Sequence, residues 1–287
     1  MQKGEKYMKT LAIIMTVHNR KERTLECLES LSKVKHIPEH DIIICDDAST
    51  DGTEEAIRDE FSDIIIVKGD GNCFWTRGMN LAMKEAKKRK YEYYLMVNDD
   101  VQFLPEMWDI MYSTLSNRRN IGVTGAMCSK LYGTLTYSGS RFFQDDGDTY
   151  VSSKIPPSGE INNFCDVANW NCFLITNEVI ERIGLIDPVY EHSFGDYDYS
   201  LQMIKNGMKI CISSDYVGYC ENNSINGTYR DGKLNWKTRI KKIFAPTGLP
   251  VRSWITFVNR HYKKKKLKNI AAPYIKFFLT VLQGKNC

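Results

Sequence analysis

The stretch "YLMVNDDVQF", residues 94–103, is an apolar run from Tyr94 to Val97 that stops abruptly at Asn98, Asp99 and Asp100. Its length and composition are those of a buried strand. Ionised carboxylates are costly to bury unless they are paired or bound to a cation. Two of them side by side at the tip of a core strand therefore call for a partner in front of the strand. Upstream, the same rhythm repeats. Residues 10–17 (TLAIIMTV) predict a buried strand, and 20–34 a helix with Leu25, Leu28 and Leu31/Val34 on one face. Residues 41–47 (DIIICDD), 63–69 and 91–97 predict further strands, separated by helices over 53–61 and 76–90. A βαβαβαβ order calls for an α/β fold, a mostly parallel sheet with helices on both faces. Ligands of such sheets sit beyond the carboxyl ends of the strands, where Asn98, Asp99 and Asp100 fall.

Downstream the pattern loosens. Helices are expected over 106–118, 177–187 and 197–207, short strands within 121–132, a loop or small hairpin over 133–165, and a last strand at 208–214. The chain has 287 residues, 43 % of them hydrophobic, enough for one large domain or one domain with an appendage. No stretch approaches the roughly 20 uninterrupted apolar residues of a membrane span, and the polar N-terminus lacks the apolar core of a signal peptide. Nine cysteines without a CxxC pair read as reduced thiols, and with them as a cytoplasmic protein. Charge is uneven. Residues 230–287 hold 15 Lys or Arg against one acid, Asp231, a net +14, so that with a total of +4 the remainder carries −10. A basic tail on an acidic body fits an anionic partner, or simply a solvated basic surface.

Two familiar patterns fail. "DASTDG" (47–52) opens like a calcium loop, but its twelfth position is Arg58 where a Glu is required. "GDGNCF" (69–74) lacks the third glycine of a dinucleotide fingerprint. The acidic positions read better together. Asp46 and Asp47 end the second strand as Asp99 and Asp100 end the fourth, and the simplest use of such carboxylates is a divalent cation that in turn holds phosphate. "STDGT" (49–53) taken singly is a turn and a helix cap. A third cluster, "FGDYDYSL" (194–201), opens a helix. Its acids either cap that helix or, beside Trp170, His192 and Phe194, provide a general base in an aromatic pocket.

The segments "IIMTVHNR", "IIICDDASTDGT", "YYLMVNDDV", "VANWNCFLITNEVIERIGLIDPVY" and "FGDYDYSLQMIKNGMKI" follow one another as in family 2 glycosyltransferases of the GT-A fold, and the chain resembles that family over residues 9–215. The resemblance implies a GT-A (Rossmann-like) mixed, mostly parallel sheet over 9–215, followed by a basic, helical extension over 216–287. It implies that Thr16, His18 and Asn19 shape a nucleotide pocket, that Asp47 bonds the pyrimidine, and that "NDDV" is the DxD element, with Asp100 on the metal (Mn or Mg) and Asp99 nearby. Asp196 corresponds to the catalytic base, and Trp170, with His192, to the sugar–acceptor cleft. "GNCFWTRGMN" (71–80) is similar to a segment near the donor in a bacterial subgroup, which makes Trp75, Arg77 and Asn80 donor-side candidates. The chain departs from the family pattern at Asn98, at Gly195, and around "GYCEN" (218–222), where a metal-binding histidine is replaced and Glu221 or His192 could substitute. The QxxRW element of polymer synthases is absent.

The activity implied is an inverting, metal-dependent hexosyl or deoxyhexosyl transfer from a UDP- or dTDP-sugar to a glycan or lipid-linked acceptor in surface polysaccharide assembly. The alternatives are a weakened nucleotide-sugar-binding or lipid-docking protein of the same fold, and a nucleotidyltransferase, which would need a glycine in the loop after the first strand. Nucleic-acid binding lacks a motif. In the tail, residues 234–244 put Trp236, Ile240 and Ile243/Phe244 on one face among Lys and Arg, and residues 270–282 are too short and too interrupted by Pro273 to span a bilayer. A basic amphipathic segment reads as an interfacial helix on anionic lipid at the inner face of the membrane, with Trp236, Phe277 and Phe278 inserting. The plainer account is packing of Trp236 and Phe244 on the domain.

Overall fold

The computed structural model describes residues 9–116, 118–145 and 148–283. The first strand, β1 (Leu11–Val17), is followed by α1 (Lys21–Ser32), β2 (His40–Asp46), α2 (Thr53–Glu60), β3 (Ile65–Lys68), α3 (Phe74–Lys87) and β4 (Tyr93–Val97). Next come β5 (Gln102–Phe103), α4 (Met107–Leu115), β6 (Ile121–Cys128), β7 (Leu135–Tyr137) and β8 (Gly139–Ser140). The stretch expected as a loop or hairpin continues with a two-stranded hairpin, β9 (Phe142–Asp145) and β10 (Asp148–Val151), then β11 (Phe164–Cys165) and β12 (Val167–Ala168). The domain closes with β13 (Cys172–Thr176), α5 (Asn177–Ile183), α6 (Gly195–Lys205) and β14 (Lys209–Tyr219), which runs on through residue 215. Three helices follow: α7 (Trp236–Ile243), α8 (Val251–His261) and α9 (Lys266–Leu282).

The main sheet has ten strands, in the order β11-β14-β6-β13-β4-β1-β2-β3, with β5 and β7 at its margins. β3, β2, β1 and β4 are parallel, as their alternation with helices requires. β13 lies antiparallel between β4 and β6, a strand that periodicity did not flag because "CFLIT" is short and joins α5 without a break. Because β13 opposes both neighbours, β6 and β14 again point the same way as β4, and β14 ends at the same sheet edge as β1, β2 and β4. Residues 17–20, 46–49, 98–100, 169–171 and 220 thus meet at one edge although they are far apart in sequence.

Alternation along β1 explains the layers. Leu11, Ile13, Met15 and Val17 pack with Leu28 and Leu31 of α1 and Met107 and Met111 of α4, while Ala12 and Ile14 face Met79 and Met83 of α3 and Met203 of α6. Both faces are covered, so the strand reads as a continuous apolar run. Thr16 is its one polar residue, and α3 approaches it closely: a Cβ at Gly78 would lie 2.1 Å from Thr16 Oγ1.

α8 is bound into the domain. Phe257 joins Tyr190, Leu201 and Val167 in a separate apolar cluster, and Trp254 and Phe257 pack against Phe194 at 5.4 and 5.2 Å between ring centroids. Buried Asp198 accepts from His261 Nε2 (2.6 Å) and Tyr190 Oη (2.9 Å) and pairs with Arg260, which also reaches Asp187. Packing therefore runs through Trp254, Phe257 and His261 rather than through Trp236 and Phe244, which are 57 % and 43 % exposed. Phe277, expected to insert into lipid, is buried against Tyr229 and Arg239. Pro273 lies inside α9 without ending it, and no helix among the described residues is long and apolar enough to cross a membrane. The eight described cysteines are buried free thiols.

Candidate active site

A cavity of about 620 Å³ opens at the carboxyl edge of the sheet. Of the residues expected to act together, Thr16, His18, Asp47 and Trp75 line it on the β1–β2 side. Asp99 and Asp100 form its floor, and Trp170, His192 and Asp196 line the far wall. The tail contributes Thr247.

Asp99 and Asp100 follow β4 directly, so the sheet carries them to the edge. Both are paired with Arg20, a residue that sequence reading left inside a helix pattern. Arg20 Nη1 lies 2.9 Å from Asp99 Oδ1, and Nη2 lies 2.9 Å from Asp100 Oδ2. Asp99 is buried, its second oxygen Oδ2 has no hydrogen-bond partner, and burial pushes its pKa up to about 7 against the opposing pull of Arg20. Asp100 Oδ1 faces the thiol of Cys220 at 3.7 Å. Burial first, then Asp100, raises that thiol to about 12.

The residues fit the divalent cation that the DxD element implies. A guanidinium already bridges the two carboxylates, the second oxygen of buried Asp99 is unpartnered, and hard oxygen donors are what Mn and Mg take. A second group, Asp47, Asp70 and Cys73, is close enough to hold an ion, but its oxygens serve the backbone. Asp47 accepts from the N–H groups of Gly71 (2.8 Å), Cys73 (3.2 Å) and Phe74 (3.0 Å), and Asp70 from that of Asn72. Asp47 thus shapes the loop that starts α3.

Asp196 sits in the first turn of α6. Its entry residue, Phe194, has φ +76°, a left-handed conformation that costs a bulky residue strain. The tilted ring contacts of Phe194 with Trp254 and Phe257 hold it there, so the tail orients the turn that carries Asp196. Burial among aromatic neighbours raises the Asp196 pKa to about 7, moderated by its hydrogen bonds from the Tyr197 N–H and Asn169. Trp170 is buried, stacked on Phe173 at 5.3 Å, with an indole N–H that lacks an acceptor. Burial lowers the pKa of His192, keeping the ring neutral.

The departures from the family pattern have local reasons. Asn98 Oδ1 accepts from Trp75 Nε1 at 2.8 Å, and a Cβ at Gly195 would lie 2.6 Å from the Thr76 methyl, leaving no room for a larger residue. Asn19, Arg77 and Asn80 are not among the residues lining this cavity. Asn19 ties its loop to Thr50 (2.7 Å), Arg77 binds Pro188 O and Glu191, and buried Asn80 donates to Ile186 O at 2.6 Å. The last two fasten α3 to the segment before α6. Glu221 is exposed and turned toward Ser129 and the Lys130 N–H. Arg20 and Cys220 are the residues missed; the signal for both was position, directly beyond the carboxyl ends of β1 and β14.

Fold and site together define a glycosyltransferase of the GT-A class. The glycosyl transferase family 2 profile matches residues 12–173, more than half of the chain, and the protein belongs to that family. Among solved structures, it is similar to the mannosyltransferase PcManGT from Pyrobaculum calidifontis in complex with GDP-Man and Mn2+ (TM-score 0.58, 14 % identity, 97 % of this chain and 72 % of that one). It is likewise similar to S. aureus TarS 1–349 in complex with UDP-GlcNAc (TM-score 0.57, 14 % identity, 94 % and 73 %). No curated protein matches at a significant level.

Proposed function

We propose that this enzyme transfers a sugar from a nucleotide-diphosphate donor, a UDP- or dTDP-sugar, to a hydroxyl of a glycan or lipid-linked acceptor, with inversion at the anomeric carbon. The observation that carries this reading is the cavity itself. Its floor bears two carboxylates suited to a cation, and its far wall bears Asp196, a carboxyl raised to about 7 by burial. A base works best with a pKa near the working pH. Asp196 takes the proton from the acceptor hydroxyl as its oxygen attacks the sugar from the face opposite the diphosphate. Trp170 supports the sugar with its ring and offers its free N–H to a sugar or acceptor oxygen. Neutral His192 beside them can accept or donate without adding charge. Asp100 with Asp99 would hold Mn or Mg, which when bound neutralises charge building on the leaving diphosphate. Arg20, released from the carboxylates it now pairs with, would turn to the same phosphates.

The reading as a weakened binding protein rested on Asn98 and Gly195, and both have packing reasons. Association with anionic lipid at the inner face of the cell membrane, in surface polysaccharide assembly, completes the proposal. α9 exposes Leu267, Ile275, Phe278, Leu279 and Leu282, and α7 exposes Trp236, with Lys237, Lys241, Lys263, Lys264, Lys265, Lys268 and Lys276 around them. The direct test is thermal stabilisation by a panel of UDP-, dTDP- and GDP-sugars with and without manganese. One donor should raise the melting temperature by several degrees, more with manganese. No response to any donor would overturn the reading.

A further inference from the structure

We propose that an anionic bilayer docked on α9 fixes one wall of the catalytic cavity, and with it the turn that carries Asp196. This rests on the lipid association in the proposed function, not on the identity of the sugar. Two neighbouring faces of α9 do different things. Tyr274, Phe277 and Val281 pack inward with Ile243 and Leu249, which flank the loop between α7 and α8. Leu267, Ile275, Phe278, Leu279 and Leu282, on the next face round the helix, are exposed. The run before the helix exposes Lys263, Lys264 and Lys265, and the helix itself exposes Lys276. Apolar side chains among lysines match a surface that is apolar and negatively charged at once, the headgroup boundary of an anionic bilayer. α9 buries only Phe277 among its 17 residues. A helix so lightly held is drawn from the low-stability end of a fold, and covering its second face orders it.

The inward face leads to the cavity through contacts already in place. Tyr274 Oη donates to Leu249 O at 3.0 Å, and the Leu249 N–H donates to Ile243 O at 2.6 Å, closing the loop between them. Gly248 packs that loop tightly: a Cβ there would lie 2.2 Å from Lys242 O. The loop places Thr247 on the cavity that Asp196 lines. Phe194 packs on the same cluster of Ile243, Leu249 and Phe277, one residue removed from Asp196. Its left-handed backbone, at φ +76°, persists because its surroundings hold it, so what steadies the cluster steadies the base. A single helix, about 10 Å across, separates the lipid from this loop.

Hydrogen exchange of the full chain, read by mass spectrometry, tests this with vesicles of phosphatidylglycerol and phosphatidylcholine and with vesicles of phosphatidylcholine alone. Anionic vesicles should slow exchange several-fold at residues 266–282, at 244–249 and at 194–198, where the N–H groups of Gly248, Leu249 and Asp198 are hydrogen-bonded reporters. Neutral vesicles should leave all three segments unchanged. Ile275→Gln, Leu279→Gln and Leu282→Gln together alter only exposed side chains. In buffer this variant should exchange like wild type, which shows an intact fold, and with anionic vesicles it should lose most of the slowing. Bound wild type whose slowing stops at α9 would overturn the proposal and leave the tail a plain anchor. Slowing that is undiminished in the triple variant, or equal with neutral vesicles, would also overturn it. No binding of wild type to any vesicle would overturn it together with the lipid part of the proposed function, while the sugar-transfer reading is decided separately by donor stabilisation.

Discussion

Asp196 carries opposed consequences for rate and stability. Its pKa stands at about 7 in the folded chain against an ordinary 3.8, because burial penalises the charge. As the proposed base, Asp196 must be ionised to act, so kcat/KM should rise with pH through about 7 with a single ionisation. Linkage has the opposite sign. Between about pH 4 and 7 the folded state holds a proton that the unfolded state has released, so stability falls as pH rises through that window. Asp196→Asn keeps the shape and the acceptor for the Tyr197 N–H but never ionises. It should cut kcat by a factor of 100 or more, in the range typical of a lost general base, with donor affinity nearly unchanged. At pH 8 its melting temperature should exceed that of wild type, and the gap should close toward pH 4. A variant that keeps its rate, or is less stable at pH 8, would show that Asp196 serves only as a helix-capping residue.

At the scale of elements, the contact between α3 and β1 sets the cavity wall. Thr16 lies on the cavity and donates to Cys45 O at 3.2 Å, and Gly78 of α3 is the only side-chain-free position against it. Alanine is the better helix former by about 1 kcal/mol, but a Cβ 2.1 Å from a hydroxyl fixed in a central strand must push α3 outward. Overpacking of this kind costs typically 1–3 kcal/mol, so the clash wins. Gly78→Ala should lose about 1–2 kcal/mol in chemical denaturation and bind the donor more weakly, because Thr16 moves with the wall. A gain in stability would mean that propensity outweighs the contact.

For the whole molecule, one part of the tail packs on the domain and another is the part proposed to meet lipid. α8 is part of the domain: it supplies Phe257 to the cluster over Tyr190 and holds Phe194 ahead of Asp196. Removing residues 230–283 should therefore unfold the region around α6. The lipid surface has to be tested by charge instead. Of the 15 basic residues, Arg239 is buried and Arg260 is committed to Asp187 and Asp198, whereas Lys237 and Lys241 of α7 and the run Lys263, Lys264 and Lys265 are exposed. Each near a surface contributes about 1 kcal/mol, decaying over about 8 Å at physiological salt. Lys263→Glu, Lys264→Glu and Lys265→Glu together should sharply weaken co-sedimentation with anionic vesicles while activity on a soluble acceptor persists. Leu267 and Leu282, 84 % and 83 % exposed, should keep part of the wild-type binding salt-resistant. Binding to neutral vesicles as strong as to anionic ones would defeat the charge argument.

Local pattern was enough for the parallel half of the sheet and for the acids at its edge, because apolar runs broken by helices admit few arrangements and Asp99 and Asp100 end a strand in the chain itself. The same locality hid β13, which is five residues long and fused to α5. The resemblance put Arg77 and Asn80 on the donor side, and their spacing carries no sign that both also hold the segment 186–191 against α3. Arg20 and Cys220 have no distinguishing neighbours in sequence; they acquire meaning only when β1 and β14 end at the same edge as β4. The tail's charge could be counted residue by residue, whereas its division into an α8 packed on the domain and an α9 that buries Phe277 while exposing Leu267, Ile275 and Leu282 depends on which side chains find apolar partners. Short-range periodicity decides what each segment becomes, and long-range packing decides which side chains meet, because contacts between residues 80 or 120 positions apart, such as Arg20 or Cys220 with Asp100, exist only once the sheet has closed.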